Sequence, residues 1–436
     1  MSGTFLRRYK RVFGLTLVLL ASSFSRAATL CVDAHGKSSC YTSITAAVNA
    51  AGAGDTITVA AGTYGESVHI TKPVSLIGAN RENTVIAANG RSNGIYVDGL
   101  SAPGIAKVNI SGFTVENADF EGMLIQNASD VTIFDNIVRH NDQNLQIKND
   151  ACPGLPAFET NEGDDCGEGI HLMGVDHSTV ANNLVEQNAG GILVSDETAP
   201  NHDNVITRNF VHDNAYDCGI TMASHSAYVA NGIAPLAFGL YHNTVSENES
   251  RHNGYGSAEG GAGIGIFAPG PGNSNIMNSI VHNRVIDNSM PGISLHSHAY
   301  LTFPGHPPNP VLNDNVIVDN YVSGNGGDPS LGVSRSIGIS VLGTTPATGI
   351  VISGNTVENE EIAIAVSSAS EVDAHLNTIG TKKVGVEELN AGGTVDATMN
   401  WWGCPKGPTA HGCASTSGNV IYSPWLTTPV IDDTPR

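Results

Sequence analysis

Asparagine recurs along this chain at a spacing that a repetitive fold requires. The shortest intervals, from 183 to 209 and from 355 to 377, are 26 and 22 residues, which is about one coil of a solenoid. Longer intervals are one coil plus an insertion. Buried asparagines at the corners of such coils bond to the backbone of neighbouring coils, so the repeat needs no catalytic role. Its positions are Asn136, Asn183, Asn209, Asn248, Asn283, Asn320, Asn355 and Asn377, followed in the first six cases by Asn141, Asn188, Asn214, Asn253, Asn288 and Asn325.

A strand pattern follows each asparagine pair, and most copies begin with Gly-Ile or Ala-Ile. The Ile and the residue two places later are apolar, as in Ile170 and Leu172. Because side chains alternate between the two faces of a strand, these residues are predicted to point inward. The alternate positions should form an outward floor made of His171, Met173, Leu193, Ser195, Thr221, Ala223, Gly265, Phe267, Ser294, His296, Ser340 and Leu342.

The two patterns predict an all-β fold, a single-stranded right-handed parallel β-helix of about ten coils. An amphipathic stretch at 41–51 is predicted to form a short N-terminal cap helix. The expected organisation is a signal peptide at 1–27, an N-terminal cap at 28–52, the β-helix at 53–403 and a C-terminal cap or tail at 404–436.

Three segments give this chain a family resemblance. Residues 53–59 and 72–78 match the usual first coils, and Asn-Trp-Trp-Gly at 400–403 matches the usual last coil. The chain resembles the superfamily of right-handed parallel β-helix proteins, the pectin lyase-like fold, over roughly 40–403. That superfamily includes pectate-lyase-like enzymes and mannuronan C5-epimerases. Since the fold serves lyases, hydrolases, esterases, epimerases and binding proteins, it leaves the reaction open.

The amino terminus is typical of a secretory signal, with basic residues at 7–11, an apolar run at 12–21 and small residues before 28. We therefore predict a secreted protein, extracellular or periplasmic. Seven cysteines in an exported chain favour disulfides. Cys218 is left over and is expected to be a buried thiol. The pairs that are close in sequence are Cys31/Cys40, Cys152/Cys166 and Cys404/Cys413.

The charge of the chain limits its partners. It has 41 acidic and 20 basic residues, and five of the basic ones lie in the signal. Nucleic acid is a poor partner for such a surface, and no later segment is apolar enough to insert into a membrane. The oligomeric state stays open.

Insertions gather at both corners that flank the Gly-Ile strand, at about 142–168, 195–204, 223–240, 254–262, 268–275, 297–312 and 326–336. The floor should therefore be a trough between loop walls, which suits an extended polysaccharide. The titratable residues are densest near His171, and the candidate catalytic residues are His171, Asp196, Tyr216, Asp217 and His225. The candidate substrate-binding residues are Lys148, Thr221, Glu259, Phe267, Ser294, His296 and His298.

An acidic stretch at 162–168 provides a candidate metal site. Asp164, Asp165 and Glu168 are the expected ligands, and clustered carboxylates suit calcium. An acidic surface loop is the alternative interpretation of the same residues.

The first functional hypothesis is a lyase or epimerase-like enzyme acting on a uronate-containing glycan. Residues 212–219 distantly resemble repeats of mannuronan C5-epimerases, although the Asp-Pro-His motif of that family is absent from the sequence. The chemistry needs a base for the C5 proton, His171 or Tyr216, and a group that neutralises the sugar carboxylate, Lys148 or calcium.

Two further hypotheses concern different classes of protein. A glycoside hydrolase would use a carboxylate pair, Asp217 with Asp196 or with Glu259. A non-catalytic carbohydrate-binding solenoid would need no special residues.

Overall fold

The computed structural model describes residues 27–142, 167–224, 238–256, 260–268, 272–297, 311–329, 332–343, 345–367, 370–381, 383–390, 392–408 and 410–430. The chain winds into a parallel β-helix, and successive coils add one strand to each of three long sheets. The described strands number 14, 12 and 11 in these sheets, slightly more than the expected ten coils. The prediction of an all-β parallel solenoid is confirmed.

Sheet 1 consists of Thr29–Val32, Asp55–Val59, Val74–Gly78, Asn109–Ser111, Thr132–Phe134, Thr179–Ala181, Val205–Thr207, Thr244–Ser246, Ser279–Val281, Val316–Val318, Ile350–Ser353, Glu371–His375, Thr394–Asp396 and Val420–Ile421. Sheet 2, which contains the Gly-Ile pattern, consists of Val68–Ile70, Ile95–Asp98, Met123–Gln126, Glu168–Met173, Gly190–Ser195, Ile220–Ala223, Ile264–Phe267, Ile293–Ser297, Ile337–Gly343, Ile362–Val366, Val384–Glu388 and Ser415–Ser417.

Sheet 3 consists of Gly62–Tyr64, Thr84–Ala87, Thr114–Glu116, Ile137–Arg139, Leu184–Glu186, Phe210–His212, Glu249–Arg251, Arg284–Ile286, Tyr321–Ser323, Thr356–Glu358 and Thr378–Ile379. A short sheet 4 forms at one corner from Asn201–His202, Leu240–Tyr241 and Asn275–Ile276. The described helices are the 3₁₀ turn Lys37–Ser39 and the α-helix Ile44–Ala50.

The α-helix begins where local hydrogen bonds satisfy its first backbone N–H groups. The Ser43 side chain accepts from the Ala46 N–H at 3.1 Å, and the Glu66 carboxylate accepts from the N–H groups of Ile44 and Thr45 at 2.8 Å each. Ile44 is buried in the main core, so the helix covers the first coils.

The inward register of sheet 2 is confirmed. Ile170 pairs with Ile192, which pairs with Ile220, and all three are fully buried in one continuous core. Stacking like residues about 4.8 Å apart on successive coils removes their apolar surface from water.

The asparagines form the expected ladders. In the first ladder the Asn209 side-chain amide donates to Asn248 Oδ1 at 3.0 Å, and Asn248 donates to Asn283 Oδ1 at 3.0 Å. Each amide also donates to a backbone carbonyl, as Asn248 does to Ile206 at 2.9 Å. The buried amides are thus satisfied along the axis of the helix.

Cysteine usage agrees with the expectation wherever the residues are described. Cys31–Cys40 and Cys404–Cys413 are disulfides, and Cys218 is a buried free thiol. Burial raises the pKa of the Cys218 thiol well above its ordinary value, which makes it a poor nucleophile at neutral pH. The signal peptide and the pair Cys152/Cys166 lie outside the described residues. Among the described helices, none is long and apolar enough to cross a membrane.

Candidate functional site

The outward floor of sheet 2 is mostly closed. His171, Ser195, Ser294 and His296 point away from the core as the register requires, yet each is at most 1% exposed. The expectation of an open floor is therefore wrong. Strand parity fixes the direction of a side chain, whereas its depth depends on what packs above it.

A line of three hydrogen-bonded side chains crosses this buried floor. His171 Nδ1 lies 3.0 Å from Glu121 Oε1, and His171 Nε2 lies 2.8 Å from Ser195 Oγ. All three side chains are fully buried. With Glu121 accepting from Nδ1–H, Nε2 is the basic nitrogen and accepts a hydrogen bond from the Ser195 hydroxyl.

Consecutive coils bring these residues together. His171 pairs with Leu124 on the preceding coil, and Ser195, which lies on the following coil, pairs with Met173. Glu121 comes just before the strand Met123–Gln126, and its Oε2 accepts from the Glu168 N–H at 2.9 Å. Both oxygens of Glu121 are thus engaged, which fixes the orientation of His171.

Two further carboxyl groups lie beside Glu121. Glu168 is 3% exposed and Asp142 is 1% exposed. Desolvation, followed by the charges of Glu121 and Asp119, raises the pKa of Asp142 to about 8. Desolvation also raises the pKa of Glu121, although its hydrogen bond with His171 opposes that shift. Asp142 therefore holds its proton at neutral pH.

Tyr216 and Asp217 lie half-buried at the same edge, two coils beyond Glu168. A methyl group built on Gly190 would stand 3.2 Å from Glu168 Oε1 and 3.4 Å from Asp217 Cβ. The absence of a side chain at Gly190 thus leaves space between the two acidic residues.

Asp196 is hydrogen-bonded at the corner that follows its strand. Its Oδ2 accepts from Ser224 Oγ at 2.9 Å and from the Gly239 N–H at 2.6 Å. Successive side chains along a strand point to opposite faces, so the side chain of Asp196 points away from the face that carries Ser195. These two hydrogen bonds hold it at the corner that follows the strand. Thr221 is on the floor but only 5% exposed.

Phe267, Ser294 and His296 belong to a second group. The Phe267 ring lies over Gly265 and contacts His296 edge-on, with ring centroids 6.1 Å apart. His296 Nδ1 lies 3.2 Å from the buried Asp328 carboxylate. His296 is four coils from His171, about 19 Å at the strand spacing, so one sugar residue cannot contact both.

Of the three predicted calcium ligands, only Glu168 lies among the described residues. Glu168 lies beside Glu121 and His171, and their ligand atoms are within 4.8 Å of one another. Both Glu121 oxygens already accept hydrogen bonds, and calcium requires six or more oxygen ligands. These three residues alone therefore do not fit calcium. The candidates that lie outside the described residues are Lys148, Asp164, Asp165, His225, Glu259 and His298.

Sequence reasoning missed Glu121 and Asp142 as members of the site. One signal for Glu121 is present, since Glu121-Gly122 precedes one strand of sheet 2 as Glu168-Gly169 precedes the next. No comparable pattern marks Asp142, whose pKa depends on its burial.

Comparisons with known proteins agree with the fold. Residues 92–303 match the family model described as the right handed beta helix region. No curated protein sequence matches the chain.

Two similar solved structures are a tailspike and an enzyme. The Dettilon tailspike protein is 14% identical with a TM-score of 0.55, and the match covers 84% of this chain and 62% of the tailspike. DFA-IIIase from Arthrobacter chlorophenolicus A6, solved without its lid in complex with GF2, is 11% identical with a TM-score of 0.53, and the match covers 84% of this chain and 88% of the enzyme. At such identities the likeness shows the fold alone.

Proposed function

We propose that this chain, which winds into a parallel β-helix and matches the right handed beta helix region over residues 92–303, is a secreted enzyme acting on an extracellular polysaccharide, with His171 as its proton-transfer residue. The observation that carries the proposal is the hydrogen-bonded line from Glu121 through His171 to Ser195. A histidine whose Nδ1–H is held by a carboxylate offers Nε2 as a general base.

The reaction that this site favours is removal of the C5 proton of a uronate residue. In a lyase, Nε2 takes that proton, the C4–C5 double bond forms, and the C4–O bond breaks with the leaving oxygen accepting a proton from Tyr216. In an epimerase, Nε2 keeps the proton that it took, and an acid on the other side of the sugar, Tyr216 in this proposal, donates a proton to the opposite face of C5. Both outcomes begin with the same base.

Neutralising the sugar carboxylate is the second requirement of this chemistry. Asp142 keeps its proton up to about pH 8, so it can donate a hydrogen bond to a substrate carboxylate instead of repelling it. Lys148 remains the alternative neutralising residue. Calcium bound by Asp164, Asp165 and Glu168 remains a prediction, and the proposed proton transfer does not depend on it.

Burial favours elimination or epimerisation over hydrolysis. His171 and Ser195 are fully buried, and neither reaction needs a water molecule at the base. The same burial means that a substrate reaches Nε2 only after neighbouring side chains shift. Ser195 Oγ marks the place that the C5 hydrogen would take.

An aromatic surface lies two coils before His171 on the same outward face of sheet 2. Tyr96 pairs with Leu124, which pairs with His171. The half-buried Tyr96 ring stacks on the exposed His69 ring with centroids 5.1 Å apart, and His69 Nε2 lies 2.9 Å from Asp98 Oδ2. An aromatic face with a polar rim suits sugar binding, and its position supports a polymeric substrate.

A second candidate function is supported by Ser195. Its 2.8 Å hydrogen bond to His171 Nε2 is the geometry of a nucleophile activated by a base, with Glu121 as the orienting group. An enzyme of this kind would cleave ester substituents of a glycan. Hydrolysis by a carboxylate pair and non-catalytic binding are two more functions that experiment must distinguish from these.

The products formed from a panel of polysaccharides separate these functions. The panel contains alginate, pectate, an acetylated glycan and a neutral glucan. Ultraviolet absorbance of an unsaturated sugar identifies a lyase, altered C5 stereochemistry an epimerase, released acid an esterase, and new reducing ends alone a glycoside hydrolase. Binding without any product would contradict the enzymatic proposal.

Two substitutions then test the assignment. His171→Gln should abolish either proton abstraction or ester cleavage, whereas Ser195→Ala should abolish only ester cleavage. His282→Ala is the matched control, since His282 is an exposed corner residue on another part of the helix. Equal activity of the wild type and His171→Gln would refute the role of His171.

A further inference from the structure

Three histidines and one aspartate meet at an exposed corner beside sheet 4, away from the proposed catalytic line. His177, Asp203 and His242 occupy equivalent corner positions on three consecutive coils, with φ of 50°, 55° and 57°. The backbone bonds His177 N–H to His202 O and Asp203 N–H to Tyr241 O connect these coils. Their side chains therefore stack along the axis of the helix.

Asp203 is at the centre of the group. Its Oδ2 lies 2.8 Å from His202 Nδ1 and 4.0 Å from His177 Nε2, and its Oδ1 lies 3.8 Å from His242 Nδ1. The ligand atoms of His177, His202 and Asp203 all lie within 4.8 Å of one another. We propose that these four residues bind a divalent transition-metal ion, with Zn²⁺ as the expected ligand.

The donor set suits that class of metal. Imidazole nitrogen and carboxylate oxygen bind Zn²⁺ at about 2.0–2.2 Å in a tetrahedron, which places donors roughly 3.3 Å apart. The carboxylate oxygens of Asp203 lie 2.8–4.0 Å from the imidazole nitrogens, and the ligand atoms of His177, His202 and Asp203 lie within 4.8 Å of one another. Reaching the tetrahedral spacing changes these separations by about 1.5 Å or less for those three residues. Calcium and magnesium prefer oxygen ligands, so three imidazoles argue against them.

The surroundings hold the donors in place. His177 Nδ1 is 2.7 Å from Asp176 Oδ1, which leaves Nε2 directed toward Asp203. Metal-binding histidines commonly make such a contact with a carboxylate through their other ring nitrogen. The His202 ring stacks on Tyr241 with centroids 4.8 Å apart, and His242 packs edge-on against the same ring.

Other groups on the described chain lack this combination. Asp373, His375 and Asp396 are close enough to share an ion but contribute one imidazole. Glu121 in the buried group uses both oxygens in hydrogen bonds. Of the three groups of close metal-ligating side chains among the described residues, the sheet 4 corner is the one that contains two imidazoles.

Calorimetric titration of the untagged full-length protein with ZnCl₂ tests the site. We expect one Zn²⁺ per chain, with a dissociation constant of about 1 µM or lower, and intense visible absorption bands when Co²⁺ replaces it in tetrahedral coordination. His177→Ala and His202→Ala should each weaken binding at least 10-fold. Asp176→Asn should weaken it about 10-fold through lost orientation of His177.

His282→Ala provides the matched control. His282 also occupies a corner with φ of 57° and is 52% exposed, but it belongs to no group of three close metal-ligating side chains among the described residues. Its loss should change Zn²⁺ affinity less than twofold. Unchanged affinity in the double variant His177→Ala/His202→Ala, or no binding at 100-fold the expected dissociation constant (about 100 µM Zn²⁺), would overturn the proposal.

Discussion

His171 Nδ1 lies 3.0 Å from Glu121 Oε1, although the two residues are 50 positions apart in the sequence. The contact joins adjacent coils of sheet 2, because the strand Glu168–Met173 pairs directly with Met123–Gln126. A carboxylate in this position fixes the tautomer and the orientation of the imidazole. It is therefore the contact on which the proposed base depends.

Glu121→Gln should lower kcat on the active polysaccharide by about 100-fold or more, the usual size of a general acid–base contribution. The amide preserves the volume of the side chain but is a weaker acceptor for Nδ1–H. Steady-state kinetics checks this, with melting temperature as the folding control. A folded variant with wild-type kcat would remove Glu121 from the proposed mechanism.

Asp142 should make the stability of the protein depend on pH. Its pKa is raised from 3.8 to about 8 on folding, so the folded state binds the proton more tightly. The contribution of this bound proton to the free energy of unfolding is fully present below pH 3.8. It is lost as pH rises toward 8, at up to about 1.4 kcal/mol per pH unit. Urea denaturation at several pH values should show Asp142→Asn gaining stability relative to the wild type over this interval. A constant difference would contradict the raised pKa.

Asp142 should also limit activity at high pH. If its proton is needed to bind the uronate carboxylate, kcat/KM should fall above about pH 8. Asp142→Asn keeps a hydrogen-bond donor, so it should retain measurable activity and lose this alkaline decline. Asp142→Leu removes the donor and should be the less active variant at pH 7. Identical pH profiles for the wild type and Asp142→Asn would show that another group neutralises the substrate.

Asn248→Ala should destabilise the β-helix by at least about 2 kcal/mol. The substitution removes the acceptor of the Asn209 N–H and side-chain amide, and buried donors without partners are costly. Chemical denaturation measures the loss. Asn109→Ala is the control, since Asn109 is exposed, and it should cost less than about 0.5 kcal/mol.

The fold was largely predictable because its patterns are local and repeated. The alternation at Ile170 and Leu172 identifies the core face, and the asparagine spacing identifies the coil. The site was less predictable. His171 and Glu168 lie in one strand, whereas their partner Glu121 is separated from them by a long insertion. Sequence spacing therefore does not show which residues of the two coils lie side by side. Burial of Ser195 and the pKa of Asp142 depend on neighbouring packing, which strand alternation does not specify.

In the proposed mechanism, His171 Nε2 removes a proton from the glycan. Incubating the protein with alginate or pectate in D₂O and analysing the sugars by nuclear magnetic resonance measures this directly. We expect unsaturated ends or deuterium at C5 with the wild type and with His282→Ala, and formation of either product at least about 100-fold slower with folded His171→Gln. Equal rates in the wild type and His171→Gln would contradict the proposed mechanism.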